Sequence, residues 1–185
     1  MPQPVPAVPH IPAGWSPVQA DFGLWVTDSF SFLSQAPVLR AQLQSAQSLT
    51  GNALNIVHFG ATAGDILEDP YGGWSTTATG SQPAWSWKCP AGCGGWYEVT
   101  ITAFSGNQGS TAAQLVAALD LNGTLWQYGG DVWAVSGGNT GASGAVQVPM
   151  LPGDYVQALI LPANTVSTPT TAGQLPTMEL TWVSS

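Results

Sequence analysis

In Trp96-Tyr-Glu-Val-Thr-Ile-Thr-Ala103 every second residue is apolar. Tyr97, Val99, Ile101 and Ala103 fall on one side, and Glu98, Thr100 and Thr102 on the other. This two-residue period is that of a strand with one face in a core; a helix would scatter these side chains around its axis. The same pattern returns in short pieces from residue 54 to the end. Val57 and Phe59 share a face in 54–59, and Leu115, Ala117, Leu119 and Leu121 share one in 114–121. Asn122-Gly123 follows, then Thr124-Leu-Trp-Gln-Tyr128, and an Asn-Gly between alternating segments signals a two-residue hairpin. Residues 132–135 read as a further short strand. Val146, Val148 and Met150 lead into a turn at Leu151-Pro-Gly-Asp154, then a strand over 155–161, and Met178, Leu180 and Trp182 share a face near the end. After residue 50 there is no long amphipathic helix, and no repeat is evident. Many short strands punctuated by Gly, Pro and Asn predict an all-β antiparallel sandwich or barrel. Its expected core includes Val57, Phe59, Tyr97, Val99, Ile101, Leu119, Val148, Tyr155, Leu180 and Trp182.

The first residues are organised differently. Pro2, Pro4, Pro6, Pro9, Pro12 and Pro17 forbid a helix and favour an extended polyproline II arm. Thr27-Asp28-Ser29 has the residues of a helix start, and Ala36-Pro37 then breaks the segment. Residues 38–49 alternate Val38, Arg40 and Gln42 against Leu39, Ala41 and Leu43, which fits a strand. Residues 1–50 are set apart as an N-terminal arm and the segment after it, with Pro4, Pro6, Pro9, Trp15, Trp25 and Phe32 as its candidate contact residues. Residues 51–185 are assigned to the sandwich. The N-terminus has neither the basic nor the apolar region of a signal peptide, and no apolar run approaches the ~20 residues needed to cross a bilayer. Synthesis in a cytoplasm is the expectation.

Charge then limits the partners. The 185 residues contain 2 Lys+Arg, Arg40 and Lys88, against 10 Asp+Glu, for a formal net charge of -8. Two cations cannot make a phosphate-binding groove, so nucleic acid is excluded, and anionic membrane surfaces are excluded with it. At 44% hydrophobic residues the chain is not a solvated disordered polymer. With 6% charged residues and nine Trp, its surface suits an assembly held by apolar burial.

No catalytic constellation emerges. His10 lies in the arm, and His58 falls on the face opposite Val57 and Phe59. Gly141-Ala-Ser-Gly144 lacks the final Gly of a nucleophile elbow and is expected in a Gly-rich loop with no helix after it. No cofactor motif is present. Asp65, Glu68 and Asp69 form the densest acidic cluster and read as a solvated loop, with calcium as the other reading. Cys89 and Cys93 are two thiols in a Gly-rich turn, a local disulfide, or part of a zinc site short of two ligands. Asn122-Gly-Thr124 matches a glycosylation sequon but is better explained as a hairpin turn. Trp74 and Trp85 read as core or interface residues, with stacking on a surface glycan as the alternative.

The order of motifs carries a resemblance. Val57-His-Phe59, the acidic loop 65–74, Trp87-Lys-Cys-Pro90, Gly95-Trp-Tyr-Glu-Val-Thr100, Leu121-Asn-Gly123, Val148-Pro-Met-Leu-Pro-Gly-Asp-Tyr-Val156 and an apolar last strand together resemble a C1q/TNF-like jelly roll. With Trp25, Phe32-Leu33 and Ala36-Pro37 ahead of them, residues 20–185 resemble small virion proteins of actinobacterial tailed phages. The resemblance implies a homotrimeric jelly roll on the virion surface. It implies a capsid decoration or head fibre protein docked on the major capsid protein, or a minor tail protein. No enzymatic activity is implied. The chain has no collagen-like stalk and no heptad run, so attachment would be made by a short arm.

Overall fold

The period-2 segments become long antiparallel strands in the computed structural model, which describes residues 36–109, 113–134 and 138–184. The strands are β1 (Val38–Gln42), β2 (Ser48–Leu49), β3 (Asn55–Ile56), β4 (Ile66–Glu68), β5 (Trp74–Ser75), β6 (Ser86–Lys88) and β7 (Gly95–Ser105). They continue with β8 (Ala113–Leu121), β9 (Thr124–Ala134), β10 (Thr140–Met150), β11 (Tyr155–Pro162), β12 (Val166–Ser167) and β13 (Thr177–Ser184). One sheet runs β10-β7-β13-β1-β4. The other runs β5-β6-β11-β8-β9, with β3 also paired to β11. β2 and β12 make a small separate pair.

The core lies between these sheets, where one face of each strand is apolar. Leu39, Tyr97, Val99, Ile101, Val148, Met178 and Leu180 come from the first sheet. Trp87, Leu115, Leu119, Val156 and Ile160 come from the second, and all are buried. Trp87 and Tyr97 meet edge to face across the interior, with ring centroids 5.5 Å apart. Each large apolar side chain buried this way contributes roughly 1.5–3 kcal/mol.

The hairpin forms where Asn122-Gly123 was expected. Asn122 has φ 55° and Gly123 has φ 80°, so both central residues are left-handed, as a turn that matches strand twist requires. The Asn122 side chain then ties this hairpin to the turn before β11. Its Nδ2 donates to Asp154 Oδ1 at 2.8 Å, and its Oδ1 accepts from Tyr155 N at 3.0 Å.

Four expectations are corrected. Residues 38–49 belong to the sandwich and not to the arm, because β1 pairs with β13 from Val38↔Thr181 to Gln42↔Thr177 and β2 pairs with β12. Tyr155 is half-buried on the outer face opposite Lys88; the inward residues of β11 are Val156, Ala158 and Ile160. Both faces of β11 are buried over 156–160, so apolarity alone gives no phase there. Gly141-Ala-Ser-Gly144 lies in β10, not in a loop, with Ser143 Oγ 3.0 Å from Thr102 Oγ1. The segments expected at 124–128 and from 132 are parts of one strand, β9, which runs over Thr124–Ala134; Val135 lies outside the described residues. Trp182 is half-buried and packs against the core. The arm residues Pro4, Pro6, Pro9, Trp15, Trp25 and Phe32 lie outside the described residues.

Gly129 and Gly130, which look like a break in β9, make a bulge. Ala117 pairs with Gly130 and Ala118 with Tyr128, so Gly129 is the extra residue. The bulge brings β9 against β10 at Gly144, the one inward position of β10 between Ala142 and Val146 that lacks a side chain. A Cβ on Gly144 would sit 1.5 Å from the Gly129 carbonyl oxygen. Gly144→Ala should therefore force the two sheets apart along this side and lower stability by about 2 kcal/mol or more, a loss of several degrees in thermal melting. Gly138→Ala, with open space around it, should stay within about 0.5 kcal/mol of the parent. Equal melting temperatures for the two variants would refute the closure.

Candidate functional site

The acidic loop is a structural knot. Asp65 is fully buried at the end of the loop entering β4, and its carboxylate faces only backbone. Oδ1 accepts from Gln44 N at 2.9 Å, and Oδ2 accepts from Gly60 N at 2.9 Å and Thr62 N at 3.0 Å. Asp69 accepts from Gly73 N at 3.1 Å, Trp74 N at 2.8 Å and Trp87 Nε1 at 3.3 Å. Glu68 turns outward and pairs with Arg40 at 3.8 Å, both about half-exposed, so this pair adds little stability. The three carboxylates expected as an alternative calcium set thus point three ways, with the oxygens of two engaged by N–H groups. Among the described residues no group of three His, Cys, Asp or Glu side chains could hold a metal ion.

The cysteine turn is equally closed. Cys89 and Cys93 are buried thiols with no disulfide between them. The turn between them is closed by Cys93 N donating to Pro90 O at 3.1 Å. Tyr97 donates its hydroxyl to the Cys93 carbonyl, and the Cys89 sulfur lies 3.6 Å from that hydroxyl. Burial pushes the Cys89 thiol up to about 11, and burial also raises the Tyr97 and Tyr71 hydroxyls. A thiol held protonated and enclosed is a poor nucleophile and a poor metal ligand.

His58 stacks on Trp85, with centroids 4.6 Å apart and planes 22° apart, and burial lowers its pKa. No described serine or cysteine hydrogen-bonds to it, so no nucleophile–base pair forms there. Trp85 carries φ 59°, a left-handed conformation uncommon for a bulky residue, and the Gln157 amide holds this segment through the Ala84 carbonyl at 2.9 Å. Trp74 points into the protein. It donates to the Phe59 carbonyl at 2.9 Å and meets the Phe59 ring edge-on at 5.8 Å. Of the two tryptophans expected as alternative glycan contacts, Trp74 is committed to packing, and Trp85 has one ring face covered by His58.

The surface feature that sequence reading missed is the outer side of β9. Trp126, Tyr128 and Trp133 are exposed there, Tyr128 at 55% and Trp133 at 65%. The Trp126 indole donates to Gln147 O on β10 at 3.3 Å, which carries the apolar surface across to the other sheet. Further along, Trp96 on β7 pairs with Pro149 on β10, and both are exposed. Alternation, with the bulge at Gly129 counted, places Tyr128 and Trp133 on an outward face. It cannot tell whether that face is polar by composition or apolar and awaiting a partner.

Two outcomes check this account. Asp65→Ala should strand three backbone N–H groups and cost about 3 kcal/mol or more, whereas millimolar calcium or its removal by chelator should leave melting of the parent unchanged. A calcium-dependent rise in melting temperature would contradict the assignment. Second, neither cysteine should react with a disulfide reagent at pH 8 in the folded protein, and both should react on unfolding. Rapid labelling of the folded state would show the turn to be open.

No family model and no curated protein matches the sequence. Solved structures do. The globular domain of zebrafish complement 1qA protein superposes with a TM-score of 0.53 at 14% identity, over 80% of this chain and 97% of that one. Murine APRIL at pH 5.0 superposes with a TM-score of 0.53 at 11% identity, over 78% of this chain and 98% of that one. At these identities the likeness is one of fold: the described residues form a C1q/TNF-like jelly roll.

Proposed function

We propose that this chain is a non-enzymatic structural protein of a bacteriophage virion, a homotrimeric jelly roll docked on the particle surface as a capsid decoration or head fibre protein. A minor tail protein with the same trimeric domain is the alternative placement. The virion assignment rests on the sequence resemblance over residues 20–185. The jelly-roll fold agrees with that resemblance, and no nucleophile–base or metal constellation among the described residues competes with it.

The trimer rests on the uneven edges of the sandwich. On one side the sheets end in β4, of 3 residues, and β5, of 2 residues. On the other they end in β9 and β10, of 11 residues each, and the exposed aromatic side chains of β9 lie there. Short edges resist further pairing, whereas a long apolar one is an association surface. A second and third copy packed against the β9–β10 side would cover it, and a three-fold ring closes on such heterologous contacts. The arm, rich in Pro, would make the attachment at a lower ordering cost than a Gly/Ser arm.

Light scattering on the full chain should give three times the 19.1 kDa protomer mass, and Tyr128→Glu combined with Trp133→Glu should give a folded monomer. A trimer would carry a formal charge of -24, three times -8, with almost no cation to pair across its interfaces. Its dissociation should therefore change little between 0.05 and 0.5 M salt. A chain starting at residue 36 should remain trimeric yet no longer bind particles that lack the protein. A parent monomer would remove the trimer, and normal particle binding by the shortened chain would remove the arm as the attachment device.

A further inference from the structure

A cleft of about 380 Å³ opens at one end of the sandwich. Its walls are the 71–73 loop, the end of β6 with the cysteine turn, and the 152–153 turn, and Gln82 and Lys88 also line it. The volume is at the low end of the range of about 300–1,000 Å³ for small-molecule sites, enough for one ring and its substituents.

Lys88 stands out by elimination. The chain has two strong cations; Arg40 pairs with Glu68, and Lys88 makes no ion pair among the described residues. Its backbone is fixed on both sides: its N–H donates to Gly73 O at 2.9 Å, and Tyr155 is its cross-strand partner on β11. Lys88 thus lines the cleft from a rigid strand, and no described carboxylate pairs with its ammonium. Gln82 supplies a second polar group. Its amide nitrogen donates to Gly73 O at 2.8 Å and Ser86 O at 3.0 Å, which fixes the side chain and leaves Oε1 as an acceptor. Tyr71, Pro90 and Pro152 provide apolar walls.

We propose that this cleft binds a single sugar ring bearing a carboxylate, with the Lys88 ammonium on the carboxylate and Gln82 Oε1 accepting from a ring hydroxyl. The charge balance favours this class. One ammonium matches one carboxylate, whereas a phosphate monoester carries about -1.5 to -2 at neutral pH and would enter a protein of net charge -8 only partly neutralised. The apolar walls suit the C–H faces of a pyranose better than the hydrated edge of a small inorganic anion. The inference stands on the cleft alone and is independent of the virion assignment.

The test is an NMR titration of the full chain with methyl β-D-glucuronide, with methyl β-D-glucoside and inorganic phosphate as comparators. The glucuronide should shift resonances of residues 71–73, 82, 88–91 and 152–153 in a saturable way. The glucoside should bind at least tenfold more weakly, and phosphate should not saturate over the same range. Lys88→Met, checked for unchanged melting, should lose at least tenfold in glucuronide affinity, and Gln82→Glu should lose affinity through repulsion without removing the ammonium. Equal binding of glucoside and glucuronide, saturation by phosphate, or parent affinity in Lys88→Met would each overturn the proposal.

Discussion

Carboxylates that accept backbone N–H groups hold the loops of this sandwich in place. A jelly roll joins its strands by irregular segments, and each such segment presents donors that the sheet ladder cannot satisfy. Here Asp65 takes three, from Gln44, Gly60 and Thr62, and so fixes the approach to β4. Asp69 takes those of Gly73 and Trp74 at the start of β5. Asp154 takes Leu151 N at 2.7 Å at the turn before β11, and Asp120 takes Gly123 N at 2.7 Å at the hairpin. Burial raises the Asp120 carboxyl, and that N–H opposes the rise by stabilising the charged form. A charged acceptor strengthens each such bond, and no cation is needed to balance it locally.

This arrangement gives the composition a physical meaning. A net charge of -8 looks like an unneutralised surface when only totals are read. In the fold, four of the ten acids serve as anchors for turns, and their negative charge is met by backbone dipoles rather than by Lys or Arg. The chain can therefore dispense with most cations. Of its two strong cations, Lys88 makes no ion pair among the described residues, and so a single lysine becomes informative here where it would be unremarkable in an ordinary surface.

The fold was legible wherever one face of a strand meets the core and the other meets solvent. β7 and β13 show this in their alternation, and Asn122-Gly123 announced its own hairpin. Legibility failed for three different reasons. Over 156–160 both faces are buried, so alternation vanished and Tyr155 was placed inward. Gly129-Gly130 resembles a turn in sequence; only the opposing Gly144 makes it a bulge, and that contact is remote along the chain. β1 was read as a strand but grouped with the arm, because nothing local reveals that its partner is β13, at the far end of the sequence. The site was less legible than the fold. Asp65, Glu68 and Asp69 look alike as letters, yet one is buried on three N–H groups, one is paired to Arg40, and one holds the next loop.

The exposed aromatic edge is lightly protected. β9 contains no Lys, Arg or Pro, the residues that usually protect an edge strand, and Asp131 is its only charged residue. Asp131 is itself bound to the Gln114 amide across the sheet at 2.7 Å. An edge so lightly defended is an aggregation hazard unless something covers it. Open-ended pairing would propagate into fibres, whereas a closed ring uses each edge once and stops. The Gly129–Gly144 contact matters for this choice. By folding β9 onto β10 it turns a flat edge into a corner between two sheets, and a corner packs into the flank of a neighbour more readily than it extends a ladder. In the proposed trimer, the bulge that closes the sandwich would also limit its assembly to a finite number of copies.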